Sequence, residues 1–242
     1  MNTVKINSKS TKMIAHRGLS GIERENTNPA FIAAGNRSYF GIETDVHKTL
    51  DGKYVVIHDA DTLRVTDGKI DVNVEQSNYD DFKDVILPDR DGKYDRTDIR
   101  IPTLLEYVRI CKKYEKKCVL ELKMEFSEEE LKEIIDIIKT EDYLENVIFI
   151  SFFMLNCIRL RPLTPDNDIQ FLTGEEVTDE MINKLLEHKL NLDIYFHKLN
   201  KDVIDKLHSK GIVVNCWTVD DKEDAEALVE MGIDFITSNI LE

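Results

Sequence analysis

No stretch of the 242-residue sequence approaches the roughly 18 uninterrupted apolar residues that a membrane span requires. Positive charge is also in short supply: 32 basic residues stand against 47 acidic ones, a net charge of -15. That balance argues against a general nucleic-acid surface and against stable association with anionic membranes, because both are polyanions. The opening run MNTVKINSKSTK lacks the apolar core and small-residue cleavage pattern of a secretory leader, so the expected location is cytoplasmic. Four cysteines, Cys111, Cys118, Cys157 and Cys216, are scattered without metal-site spacing and read as free packing thiols. What remains is the composition of an ordinary folded protein, 42% hydrophobic and 33% charged, which gives no reason to invoke disorder.

The length lies close to the roughly 250 residues of a single α/β barrel, and one domain over residues 1–242 is expected. Met13 to Ala15 form a short apolar run ending at His16-Arg17-Gly18, and Thr27 or Asn28 can cap a helix that begins at Pro29. Residues 42–47 alternate with period two, and after the Asp51-Gly52 turn a second extended run, Tyr54 to Ile57, ends at His58-Asp59. From about 60 to 100 the periodicity fades and aspartates accumulate, which reads as an insertion after the second barrel strand.

Thr103 with Glu106, and Ser127 with Glu130, are capping boxes that open two helices. Strands then end near Ser151, Thr173, Tyr195, Trp217 and Thr237, at spacings of 22, 22, 22 and 20 residues. Regular alternation of this kind is what successive strand–helix units produce. With strands ending at His16, Asp45 and Glu121, the count is eight, provided that 54–57 is an excursion rather than a barrel strand. The predicted fold is therefore α/β, a (β/α)8 TIM barrel, with a doubly wound open sheet as the rival.

A barrel gathers the C-terminal ends of its strands on one face. Glu43 and Asp45 are two residues apart, as are Glu121 and Lys123, so each pair points to one side of an extended strand. Three converging carboxylates repel one another, and a hard divalent cation, Mg²⁺ or Ca²⁺, resolves the conflict. The plainer alternative is that they are strand-end surface residues paired with lysines. His16 and His58 each terminate an apolar run and could divide general acid and base roles, although satisfied structural histidines are common at such positions. Arg17 and Lys123 are candidates for holding phosphate oxygens, the plainer role for each being solubility. His47 shares the side of Glu43 and Asp45 and is expected near the metal; His197 is placed to touch substrate, whereas His188 and His208 fall at helix ends.

The motifs AHRG at 15–18, ENT at 25–27, GIETDV at 41–46, VVIHD at 55–59, ELK at 121–123, SF at 151–152, WTV at 217–219 and MGIDFIT at 231–237 occur in order along nearly the whole chain. Together they closely resemble the glycerophosphodiester phosphodiesterase family. The resemblance implies that His16 and His58 act as general acid and base, that Glu43, Asp45 and Glu121 bind one divalent metal, and that Arg17 and Lys123 contact phosphate. It further implies a small-molecule glycerophosphodiester substrate, cleaved to sn-glycerol 3-phosphate and an alcohol. On the same basis the insertion helps to select the glycerol-containing group, and Trp217 lines the pocket or packs in the core.

Two positions depart from the family pattern: Arg24 stands where a proline usually precedes ENT, and the chain closes on Thr237-Ser238-Asn239 rather than on ITD followed by proline. Both are expected to leave the five core residues alone and to bear on selectivity. The rival readings are a related barrel phospholipase acting on intact phospholipid and a non-catalytic phosphate-ligand binding protein. The preferred alcohol, the identity of the metal and the oligomeric state stay open at this level.

Overall fold

The computed structural model describes residues 2–242; Met1, the first residue of the domain expected over 1–242, lies outside them. Eight parallel strands close a barrel. In chain order they are β1 (Lys12–Ala15), β2 (Gly41–Lys48), β4 (Lys117–Leu122), β5 (Val147–Ser151), β6 (Asp168–Thr173), β7 (Asn191–Tyr195), β8 (Val214–Trp217) and β9 (Phe235–Ser238). Neighbours pair in sequence order, and closure comes from β1, which pairs with β9 on one side and with β2 on the other, Ile14 opposite Gly41 and Ala15 opposite Ile42. That last pairing excludes the open doubly wound sheet. The remaining strand, β3 (Tyr54–Val56), runs antiparallel to β2 with Val46 opposite Val56, a hairpin off the barrel wall as the eight-strand count demanded.

Among the described residues, seven helices link the strands: α1 (Asn28–Gly35), α2 (Leu104–Lys113), α3 (Glu128–Lys139), α4 (Met154–Leu163), α5 (Asp179–His188), α6 (Lys201–His208) and α7 (Lys222–Met231). Their starts are written locally. Thr27 caps α1 by accepting from the Ala30 N–H, with Pro29 in the first turn where its missing N–H costs nothing. Both expected capping boxes, Thr103 with Glu106 and Ser127 with Glu130, are formed. All four cysteines are buried and free. Among the described residues, no helix is long and apolar enough to cross a membrane.

Strand alternation sorts two cores. Ile42, Leu120, Leu122 and Phe149 face outward into the layer shared with the helices. Ile14, Val119, Ile148, Ile150, Leu172 and Phe235 fill the barrel interior. Above them lies a polar layer in which Asn215 accepts from Thr237 at 3.3 Å and donates to Gln170 at 3.1 Å. Between β3 and α2 the chain makes one 3-10 turn, Tyr79–Asp81, and gathers a third apolar cluster from Val55, Ile57, Val65, Val74, Phe82 and Ile99. This segment needs its own small core because it has little regular secondary structure to order it.

Candidate active site

The C-terminal rim of the barrel surrounds a cavity of about 170 Å³ lined by His16, Arg17, Glu43, His58, Glu121, Lys123, Asp193 and Trp217 among others. Glu43 and Asp45 reach it from β2 and Glu121 from β4, with one carboxylate oxygen of each lying within 4.8 Å of the others. The convergence follows from register, since Asp45 stands opposite Glu121 in the parallel β2–β4 pair. All three are buried, Asp45 completely.

Burial and mutual repulsion act differently on each member. Burial, then Asp45 and Glu121, push Glu43 well above the ordinary carboxyl range. Burial and Asp45 likewise raise Glu121 to about 7, against the pull of Lys123. Asp45 is also penalised by burial, but Lys123, Arg17 and His58 outweigh that cost and hold it below its usual range. The cations behind this are close: Lys123 Nζ lies 2.8 Å from Glu121 and 3.4 Å from Asp45 Oδ1, and Arg17 Nε lies 3.4 Å from Asp45 Oδ2. Asp45 Oδ1 is nevertheless buried without a hydrogen-bond donor. An orphaned carboxylate oxygen within an all-oxygen donor set fits a hard divalent cation.

The loop after β1 is shaped by its backbone. Arg17 and Gly18 both take left-handed conformations, φ 52° and 74°, and a Cβ on Gly18 would meet the Ala30 carbonyl carbon at 2.7 Å. This bend turns the Arg17 N–H onto Glu43 Oε2 at 2.7 Å while its guanidinium meets Glu25 at 2.9 Å. His16 Nε2 lies 4.0 Å from Glu43, and burial with nearby Arg17 lowers its pKa to about 4. His58, just beyond β3, is folded back over the rim by the hairpin. Its Nδ1 lies 2.6 Å from Asp59 Oδ1, and burial shifts its pKa downward despite the opposing Asp45 charge. Trp217 forms the aromatic wall with Phe152 and Tyr195, both at 5.7 Å between ring centroids.

All eight residues singled out in the sequence thus meet at one end of the barrel, and three secondary expectations are corrected. His47 is not a neighbour of the cation site: its Nδ1 meets Glu75 at 2.8 Å and its Nε2 the His58 carbonyl at 3.2 Å, so it ties the insertion to the barrel. His197 packs against Phe196 and Tyr195 and does not line the cavity. Of the two family departures, one does reach the machinery: Asn239 Oδ1 lies 2.7 Å from His16 Nδ1, whereas Arg24 binds only the insertion, through the Val65 carbonyl at 2.7 Å, and leaves the five core residues alone as expected. Spacing along a strand carries no sign of contacts made across 223 residues.

Several participants had no such signal. Asn26 donates to Asp45 Oδ2 at 2.7 Å, and Arg64 reaches in from the insertion to grip Glu25 at 2.9 Å and Asp59 at 2.5 Å. Asn26 sits in ENT, so the motif marked it, but local reading makes that triplet a helix entry. Asp193 on β7 is 1% exposed and burial raises its pKa well above the ordinary range.

Hard oxygen donors for a cation, fixed positive charge for an anion and imidazoles for proton transfer are what hydrolysis of a phosphate ester demands, and the molecule is a barrel hydrolase of that class. The sequence profile of the Glycerophosphoryl diester phosphodiesterase family matches residues 16–241, and the chain belongs to that family. A glycerophosphodiester phosphodiesterase of Caldanaerobacter subterraneus subsp. tengcongensis is 29% identical over 95% of this chain and 94% of its own length. The crystal structure of a glycerophosphodiester phosphodiesterase from Parabacteroides distasonis is 29% identical, with a TM-score of 0.76 over 95% of this chain and 93% of that one. An Oleispira antarctica phosphodiesterase, solved in complex with the product sn-glycerol-3-phosphate, shares the fold with a TM-score of 0.82 at 24% identity, covering 98% of this chain and 96% of its own.

Proposed function

We propose that the protein hydrolyses glycerophosphodiesters to sn-glycerol 3-phosphate and a free alcohol, using one divalent cation, Mg²⁺ or Ca²⁺, held by Glu43, Asp45 and Glu121. The observation that carries this reading is the meeting of the three buried carboxylates with Arg17 and Lys123. When all three carboxylates are ionised, three negative charges against two positive ones leave one in excess; a dication reverses the sign, and a monoanionic phosphodiester then brings the site to neutrality. When bound, the cation supplies Lewis-acid stabilisation of charge on the phosphate.

The chain's own groups do the rest. Arg17 offers a planar fork and Lys123 a point charge to the nonbridging oxygens, and both stabilise the transition state if they bind it more tightly than the ground state. His16, neutral and with Nε2 turned toward the carboxylates, is suited to take the proton of the attacking oxygen. His58, with Asp59 on its other nitrogen, is suited to protonate the departing alkoxide as its bond to phosphorus breaks. Trp217 lines the wall of the pocket beside the substrate. The small core of the segment after β3, and the reach of Arg64 from it to Glu25, support reading 60–100 as an insertion within a single barrel domain that helps to shape the glycerol side. The Oleispira antarctica structure with its bound product supports the same assignment of which bond breaks.

The test is hydrolysis of glycerophosphocholine and glycerophosphoethanolamine after thorough chelation, then with Mg²⁺ or Ca²⁺ restored, with products identified. The expected result is loss on chelation, recovery with a divalent cation, and sn-glycerol 3-phosphate as product. Full activity without metal would eliminate the cation, and release of phosphocholine with glycerol would eliminate the proposed reaction.

A further inference from the structure

Behind His16, on the side away from the carboxylates, runs a chain of hydrogen bonds that ends at Asp220, on the loop following β8. We propose that Asp220 is a positioning residue, acting through Asn239 to hold His16 with its proton on Nδ1 and its lone pair on Nε2. The proposal rests on the reading of His16 as the proton acceptor.

The contacts determine the direction of every bond. The Asp220 carboxylate takes the Asn239 N–H at 2.8 Å and the Ser238 hydroxyl at 3.0 Å on Oδ1, and the Asn239 side-chain amide at 2.5 Å on Oδ2. A carboxylate only accepts, so the nitrogen end of the amide faces Asp220; the reverse orientation would press oxygen against oxygen. The amide oxygen must then face the other way, where it meets His16 Nδ1 at 2.7 Å and Ser20 Oγ at 2.6 Å. An amide oxygen has no hydrogen to give, so His16 Nδ1 carries one. In the neutral imidazole the lone pair is left on Nε2, the nitrogen that faces Glu43.

Without Asp220 the amide at 239 loses its orientation. Its NH₂ can then rotate toward His16, which favours the opposite tautomer, with the lone pair on Nδ1 and no base in the cavity. Position 239 therefore depends on position 220. A carboxylate at 239 would accept from His16 equally well, but would stand against Asp220 at the distance now bridged by a hydrogen bond. If 220 then became an amide, the order of donors and acceptors would be restored with the roles exchanged.

The experiment compares Asp220→Ala, Asn239→Asp and the exchange Asp220→Asn/Asn239→Asp with the wild type, in kinetics toward glycerophosphocholine and in imidazole ¹⁵N spectra of histidine-labelled protein. Each single variant is expected to lower kcat about tenfold with KM nearly unchanged, the scale of losing a group that orients a histidine. The exchange is expected to recover most of that loss, and the ¹⁵N spectra to show Nδ1-protonated His16 in the wild type and the exchange but a mixture in Asp220→Ala. Wild-type kcat in Asp220→Ala, additive losses in the exchange, or an Nε2-protonated His16 in the wild type would each overturn the proposal. The spectra report the tautomer even if the protein hydrolyses no glycerophosphodiester, so failure of the functional reading is distinguishable from failure of the relay.

Discussion

His16 and His58 face one cavity with different partners, an amide for the first and the Asp59 carboxylate for the second. An amide fixes a tautomer without adding charge, whereas a carboxylate favours the imidazolium, so the pair is built for unequal roles. His16→Ala and His58→Ala should each lower kcat by about 10² or more, as loss of a proton-transfer group does. An unaltered kcat in either variant, measured at saturating substrate and cation, would remove that histidine from the chemistry. At this scale the carboxylates were legible because Glu43, Asp45 and Glu121 lie on strands, where period two dictates the side. The convergence of His58 was not, because it depends on the hairpin through β3, and the amide behind His16 was hidden by sequence separation.

Among the elements, the strands and helices of the second half were readable because caps and apolar stripes agree: Ser127 and Glu130 mark where α3 begins, and Leu131, Ile134, Ile135 and Ile138 mark the side that packs. The insertion was opaque for the opposite reason. Its core residues Val65, Val74, Phe82 and Ile99 follow no period and are ordered by tertiary contact alone. Between these extremes stands the β1–α1 loop, where Gly18 combines a φ of 74° with contact on the α1 backbone. Gly18→Ala should destabilise the fold by about 1–3 kcal/mol, because a side chain is both strained and obstructed there. It should also lower activity beyond that of a protein merely less stable, since the same bend delivers Arg17 to Glu43. Urea unfolding and kcat measured well below the unfolding transition separate the two effects; unchanged stability would show that the loop yields freely.

For the molecule as a whole, the acidic site makes stability depend on pH in a way that a cation should erase. Glu121 titrates near 7 in the fold, and burial holds Glu43 and Asp193 well above their ordinary range. In the unfolded chain these carboxyls ionise near 4 and have lost their protons by pH 7, whereas in the fold Glu121 still holds part of its proton there. The folded state therefore binds more protons than the unfolded one, and the free energy of unfolding falls as pH rises through the window from about pH 7 to 8. His16 and His58, both shifted downward, are neutral in the fold across the window and contribute little there. Metal-free protein is thus expected to show a lower Tm at pH 8 than at pH 7. Saturating Mg²⁺ or Ca²⁺, which binds only the ionised cluster, should raise Tm and flatten the slope. Glu43→Gln/Glu121→Gln should flatten most of it without metal, leaving the part due to Asp193. Calorimetric scans at the two pH values, with chelator and with cation, decide the matter: equal slopes in both would mean that the three carboxylates are not coupled to a cation, and the charge argument for the site would fail with them.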